Sequence, residues 1–298
     1  MKSALKGAFY GTCRALARIV PPDILYFLLY PSSAVRSVRP ALRRPTVPAR
    51  HIPPRPEDGA PRFVRRWHYQ AAIYQRWLPL FWPDLWAKPR WAERLTADGA
   101  EALDAIAAER PVVAITLHTG AMVVLGGWLM GRGLGVGSVI IDRERWLRPE
   151  SIKARSDPRW QKYVENSVSF LAGDPRQMVR YLAPGRVLLL PADHPLGRQA
   201  EGDWPGGRLR LAVGGLRIAR MTGAAVVPII ATGDGPWRFH VHVGTPLPAE
   251  MLEEGDNEAA VAEIARQLMP IIERRPFQAL PTLVEAVSAA RSQASARS

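Results

Sequence analysis

The chain carries a single cysteine, Cys13, among 298 residues. One thiol excludes a disulfide framework and any cysteine-based metal site, and a reducing compartment is the simplest setting. Acidic residues are also scarce, 27 against 40 lysines and arginines, which leaves a formal net charge of +13. That excess favours an acidic partner: phospholipid head groups, nucleic acid or an acidic protein. No stretch reaches the roughly 18 uninterrupted apolar residues of a membrane-spanning helix. The N-terminus does not read as a secretory signal, because Arg14 and Arg18 interrupt it and Pro21-Pro22 follows. There is no GxSxG nucleophile frame and no GK[ST] ending of a Walker A loop. No internal repeat and no nucleic-acid-binding motif is visible, so a nucleic-acid partner would rest on charge alone and is not expected.

What is present is enough apolar material for a large core, 47% of residues. Residues 3–20 have helical period, with Leu5, Phe9, Leu16 and Ile19 on one arc and Lys6, Arg14 and Arg18 on another. A basic amphipathic helix of this kind suits a bilayer interface, and DILYFLLY at 23–30 adds an aromatic, apolar block. Between 63 and 95 fall five of the ten tryptophans, at 67, 77, 82, 86 and 91. Indoles among arginines fit a water–lipid boundary or the packing of a helical hairpin. Residues 1–95 are therefore read as an N-terminal amphipathic and Trp-rich helical region, 96–287 as an α/β domain, and 288–298 as a frayed tail.

The α/β reading starts at Val112-Val113-Ala114-Ile115-Thr116-Leu117, a continuous β-branched run that reads as a strand covered on both faces. Further strands are predicted at 136–141, 187–191 and 225–230, with 238–243 as an antiparallel edge strand. Helices are predicted near 99–109, from Gly120 up to Gly131-Arg132-Gly133, and near 174–183, 212–222 and 257–273. The fold class is thus α/β, with a mixed, mostly parallel sheet flanked by helices and preceded by membrane-associating helices. Three of the strands end in a titratable residue: His118, Asp142 and Asp193. If those strands are parallel, all three side chains open onto the edge where α/β sheets bind ligands. A histidine there can take a proton from a hydroxyl, and a carboxylate on its other nitrogen fixes the tautomer.

A second site is read in GDWPGGRLRLAVGG, residues 202–215, where Gly206-Gly207 make a turn and Arg208 and Arg210 precede a small-residue helix start. Such a helix start with flanking arginines accepts an anion. Metal ligation is not expected. His240 and His242 alternate on a strand with no third ligand in an evident frame, and Asp193-His194 are sequence neighbours that point different ways.

In order and spacing, these blocks resemble the lysophospholipid acyltransferase superfamily, closest to the late acyltransferases of bacterial lipid A biosynthesis. The resemblance runs from Gly99 to Val243. His118-Thr119-Gly120-Ala121-Met122-Val123 resembles the family's H-x4-[D/E] motif, and Asp193-His194-Pro195-Leu196-Gly197 its Asp-Gln block. Trp204-Pro205-Gly206-Gly207-Arg208 and Thr222-Gly223-Ala224-Ala225-Val226-Val227-Pro228 resemble two later blocks. The resemblance implies transfer of a fatty acyl group from acyl carrier protein or acyl-CoA to a hydroxyl of a membrane phospholipid or lipid A-type acceptor. It implies no bound cofactor and a peripheral location on the cytoplasmic face of the bacterial inner membrane. His118 would be the general base. Gly120, Arg143, Arg145, Gly207, Arg208 and Arg210 would bind substrate, and the face from Met122 to Trp128 would line an acyl groove. The chain departs from the pattern at Val123, where the family places its acid, and the family's C-terminal ending is reduced to Arg275-Pro276-Phe277-Gln278-Ala279-Leu280. Either Asp193 or Asp142 replaces that acid, or the chain is a non-catalytic lipid- or acyl-carrier-binding homologue.

Overall fold

The computed structural model describes residues 12, 15, 16, 19–28, 93–140, 167–253, 256–275, 278–280, 282, 283 and 285–287. They form β1 (Leu95–Asp98), α1 (Ala100–Glu109), β2 (Val112–Thr116), α2 (Val124–Gly131), β3 (Gly135–Ile140), β4 (Ser167–Leu171), α3 (Pro175–Tyr181) and β5 (Arg186–Pro191). There follow β6 (Gln199–Trp204), β7 (Gly207–Ala212), α4 (Gly214–Thr222), β8 (Ala225–Gly233), β9 (Phe239–Val243), α5 (Ala249–Glu253) and α6 (Asn257–Arg274). Among the described residues no helix is long and apolar enough to cross a membrane.

Seven strands make one sheet in the order β1-β9-β8-β2-β5-β3-β4, and β6 and β7 form a separate antiparallel hairpin. β8, β2, β5, β3 and β4 are mutually parallel, whereas β9 runs antiparallel to β8 and parallel to β1. Every residue of β2 and of β8 is buried, as continuous apolar runs in a doubly covered sheet should be. One core lies on the face of Val112, Ala114, Val227 and Ile229 and takes in α1, α2, Leu25 and Tyr26. The other lies on the face of Val113, Ile115 and Val226 and is closed by α3, α4, α6 and the hairpin.

Local signals explain the boundaries. Gly99 leads from β1 into α1 at φ 74, and a Cβ there would sit 2.7 Å from the Val243 carbonyl oxygen. Asp174 caps α3 by accepting from the Gln177 amide, and Asp256 caps α6 by accepting from the Ala259 amide at 2.9 Å. At Gly202 an added Cβ would lie 2.1 Å from the Ala262 backbone nitrogen, so β6 meets α6 backbone to backbone.

Two expectations are corrected. β9 is not the sheet edge, because β1 pairs outside it. The segment predicted as a helix from Gly120 begins as a turn, and helix starts only at Val124.

Candidate functional site

Parallel register builds the central pair. Thr116 at the end of β2 stands opposite Pro191 at the end of β5. Two residues further along each chain, His118 and Asp193 therefore become neighbours above adjacent strands. His118 Nδ1 lies 2.7 Å from Asp193 Oδ1, and the His118 backbone N–H donates to Asp193 Oδ2 at 3.0 Å. One carboxylate thus holds both the ring and the main chain of a single histidine. The Asp193 side chain is fully buried and that of His118 is 20% exposed. With the carboxylate accepting the Nδ1–H, Nε2 carries the lone pair. Among the described residues Nε2 has no hydrogen-bond partner.

The loop carrying His118 is tied down from both sides. The Thr119 hydroxyl donates to the Ala231 carbonyl at 2.8 Å. The Gly120 N–H donates to the Gln278 carbonyl at 2.8 Å, and the Leu280 N–H donates to the His118 carbonyl at 2.9 Å. Gln278 is itself buried, and its side chain accepts from the Gly233 N–H at 2.7 Å and donates back to the Gly233 carbonyl. The segment 278–280 therefore works as a clamp on the histidine loop.

His118 borders a cavity of about 890 Å³ beside β2, β5 and α4. Its apolar wall includes Ile115, Val139, Met178, Leu190 and Ile218. Gly215 keeps α4 close to this wall, since a Cβ there would meet Ile115 Cδ1 and Leu190 Cδ1 at 2.8 Å. His194 also lines the cavity, its ring centroid 6.2 Å from that of His118. Its Nδ1 is buried without a hydrogen-bond partner among the described residues. Arg176, Arg180 and Arg217 complete the lining; all three are exposed, and none has a carboxylate partner among the described residues. An apolar interior with a cationic rim suits an amphiphile with an anionic end.

The structure gathers some of the predicted residues here and sends others elsewhere. His118 and Asp193 meet, whereas Asp142, Arg143 and Arg145 lie outside the described residues. Gly207 is at the tip of the β6–β7 hairpin, where Arg208 binds Asp203 at 2.6 Å and Glu201 at 3.6 Å. The Arg208 guanidinium holds the Asp203 carboxyl below the usual carboxylate range. Neither Arg208 nor Arg210 lines the cavity. The small-residue helix start does border it, through Ala212, Gly214 and Gly215, but its arginine is Arg217. Gly120 has its N–H taken by Gln278. The face from Met122 to Trp128 belongs to the opposite core and not to the cavity. Val123 packs against that same core. The sequence reading missed Arg176, Arg180, Arg217 and Gln278. No local motif marks the three arginines, which three-dimensional packing alone gathers.

No protein-family model matches the chain, and no curated protein matches it. Among solved structures it is similar to the 1-acyl-sn-glycerophosphate (LPA) acyltransferase, PlsC, from Thermotoga maritima, at 14% identity and a TM-score of 0.35. The likeness covers 83% of this chain and 96% of that one. It is too slight to bear on function.

Proposed function

We propose that the chain is an acyltransferase that moves a fatty acyl group from a thioester donor to a lipid hydroxyl. The observation that carries this reading is the His118–Asp193 pair at the wall of an apolar cavity rimmed by arginines that have no carboxylate partner among the described residues. His118 Nε2 takes the proton of the acceptor hydroxyl as its oxygen attacks the thioester carbonyl. The new C–O bond forms, the C–S bond breaks, and the imidazolium returns the proton to the departing thiolate. Asp193 holds the productive tautomer and stabilises the imidazolium, the task the family motif assigns to an acid at position 123. The acyl chain occupies the cavity. Arg176, Arg180 and Arg217 meet the phosphate of the donor's pantetheine arm or of the acceptor.

Acyl carrier protein and acyl-CoA both fit as donors, and an acidic carrier protein complements a chain of net charge +13. The acceptor is a membrane phospholipid or a lipid A-type precursor, reached from the cytoplasmic face of the inner membrane. Exposed Ile19, Ile24, Phe27 and Leu28 support peripheral attachment, on a segment anchored by buried Leu25 and by the Arg94–Asp23 ion pair at 2.6 Å. A second reading, lipid or carrier binding without turnover, draws on Val123 alone.

The test is acyl transfer in vitro. Purified protein is incubated with labelled acyl-carrier-protein and acyl-CoA donors and a panel of lysophospholipids and lipid A precursors. Acylated product from wild type, lost in His118→Ala, is the expected outcome. Lipid binding with no wild-type product across the panel would favour the second reading.

A further inference from the structure

Away from the cavity, the sheet assembles a second cluster of ligand-type side chains. β1 and β9 pair in parallel with Thr96 opposite His240 and Asp98 opposite His242. Alternation along β9 sends His240 and His242 to the face opposite buried Phe239 and Val241. Their ring centroids are 4.3 Å apart. Asp98 Oδ2 lies 2.7 Å from His240 Nε2 and 3.8 Å from His242 Nδ1. One ligand atom from each of the three residues falls within 4.8 Å of the others.

We infer that Asp98, His240 and His242 form a binding site for one divalent transition-metal ion of the Zn²⁺ type. Donor atoms around a tetrahedral zinc bound at about 2.0–2.2 Å stand about 3.3 Å apart. The observed 2.7 and 3.8 Å straddle that spacing, so small side-chain rotations bring the set onto an ion. Two imidazoles with one carboxylate select zinc, cobalt, nickel or iron over calcium and magnesium. Each histidine also has an outer partner on its far nitrogen. Thr96 Oγ1 lies 2.6 Å from His240 Nδ1, and Thr232 Oγ1 lies 3.3 Å from His242 Nε2. A hydroxyl accepting the far N–H leaves the near nitrogen bare and aims it at the ion. The nearby cation Arg275 is engaged by Asp234 at 2.6 Å. The ion would tie edge strand β1 to β9, and a fourth position would remain for water. β8 lies between this cluster and the strand that carries His118.

The test uses the full chain, stripped with chelator and titrated with Co²⁺ and then Zn²⁺. One equivalent of Co²⁺ is expected to give a tetrahedral d–d absorption that Zn²⁺ displaces. Saturating Zn²⁺ should raise Tm by about 4 °C or more. Asp98→Asn, His240→Gln and His242→Gln should each weaken binding at least tenfold, whereas His118→Asn should leave it unchanged. If a variant fails to fold, zinc-edge X-ray absorption of loaded wild type takes its place and should show two imidazoles. Absence of micromolar uptake by wild type, binding insensitive to the three substitutions but lost with His118→Asn, or a zinc shell without imidazole would each overturn the site.

Discussion

Asp193 grips His118 twice, through Oδ1 to the ring at 2.7 Å and through Oδ2 to the backbone N–H at 3.0 Å. The two residues are 75 apart in sequence and act as one unit. Removing either partner is therefore expected to cost nearly as much as removing both. Asp193→Asn should lower kcat by about 10³–10⁴-fold. The Asp193→Asn/His118→Ala double variant should be no slower than His118→Ala alone. Steady-state kinetics on the four proteins checks this, and additive losses would show that the pair does not act together.

The arginine rim should govern donor or acceptor affinity and not the chemical step. Arg217→Ala is expected to raise KM for the anionic substrate by about 10-fold, the loss of one charge-assisted hydrogen bond. Its kcat should stay within about twofold of wild type. A fall in kcat at constant KM would move Arg217 into the reaction itself.

Cavity volume should set acyl-chain length. Val139 lines the wall and is only partly buried, so Val139→Phe narrows the space without opening the core. The variant is expected to shift preference towards shorter chains, by about 10-fold in kcat/KM between a long and a short donor. Competition between labelled donors of different length reads this ratio directly. An unchanged ratio would place the acyl chain elsewhere.

Gln278 should matter although it reaches no substrate. Its buried amide closes a pair of bonds with Gly233, while its carbonyl holds the Gly120 amide. Gln278→Ala leaves the Gly233 backbone groups unpaired, at a cost of about 2 kcal/mol. Denaturant unfolding should show that loss, and kcat should fall with it as the His118 loop loosens. Gln278→Glu should not recover that stability at neutral pH, since the buried carboxylate's second oxygen would face the Gly233 carbonyl, acceptor against acceptor.

Tyr181 supplies a pH dependence of stability. Burial pushes its phenol up to about 12. Between the ordinary value of about 10 and 12, the unfolded chain loses this proton while the folded chain keeps it. Stability from this residue is thus complete below about pH 10 and falls as pH rises towards 12, by about 2 kcal/mol in all. Tyr181→Phe should flatten that part of the alkaline unfolding curve relative to wild type. Parallel curves would mean that the phenol titrates normally.

The central strands β2, β3, β5 and β8 were legible because they advertise themselves, whereas the parallel edge strand β4 was not predicted. β2 and β8 are unbroken apolar runs, and helices 100–109, 175–181, 214–222 and 257–274 keep helical spacing between recognisable caps and glycines. β6 was not legible: Gln-Ala-Glu-Gly-Asp-Trp has little β propensity and gains its strand from β7 and α6. β1 is four residues long with a charged end, and overlooking it made β9 look like an edge. The same oversight hid Asp98 as a companion of His240 and His242 from a residue 142 positions away. Likewise, the His118–Asp193 pair followed from strand ends, but the rim arginines did not. Arg208 and Arg210 carry the louder local pattern, and Arg208 spends its charge on Asp203 and Glu201.

The most direct measurement is turnover of wild type against His118→Ala with one acyl-carrier-protein donor and a panel of lipid acceptors. Expected is acylated lipid from wild type and a rate at least about 10³-fold lower from the variant, with donor binding retained. Equal rates from the two proteins, or no product from wild type while lipid still binds, would contradict a histidine-driven acyl transfer.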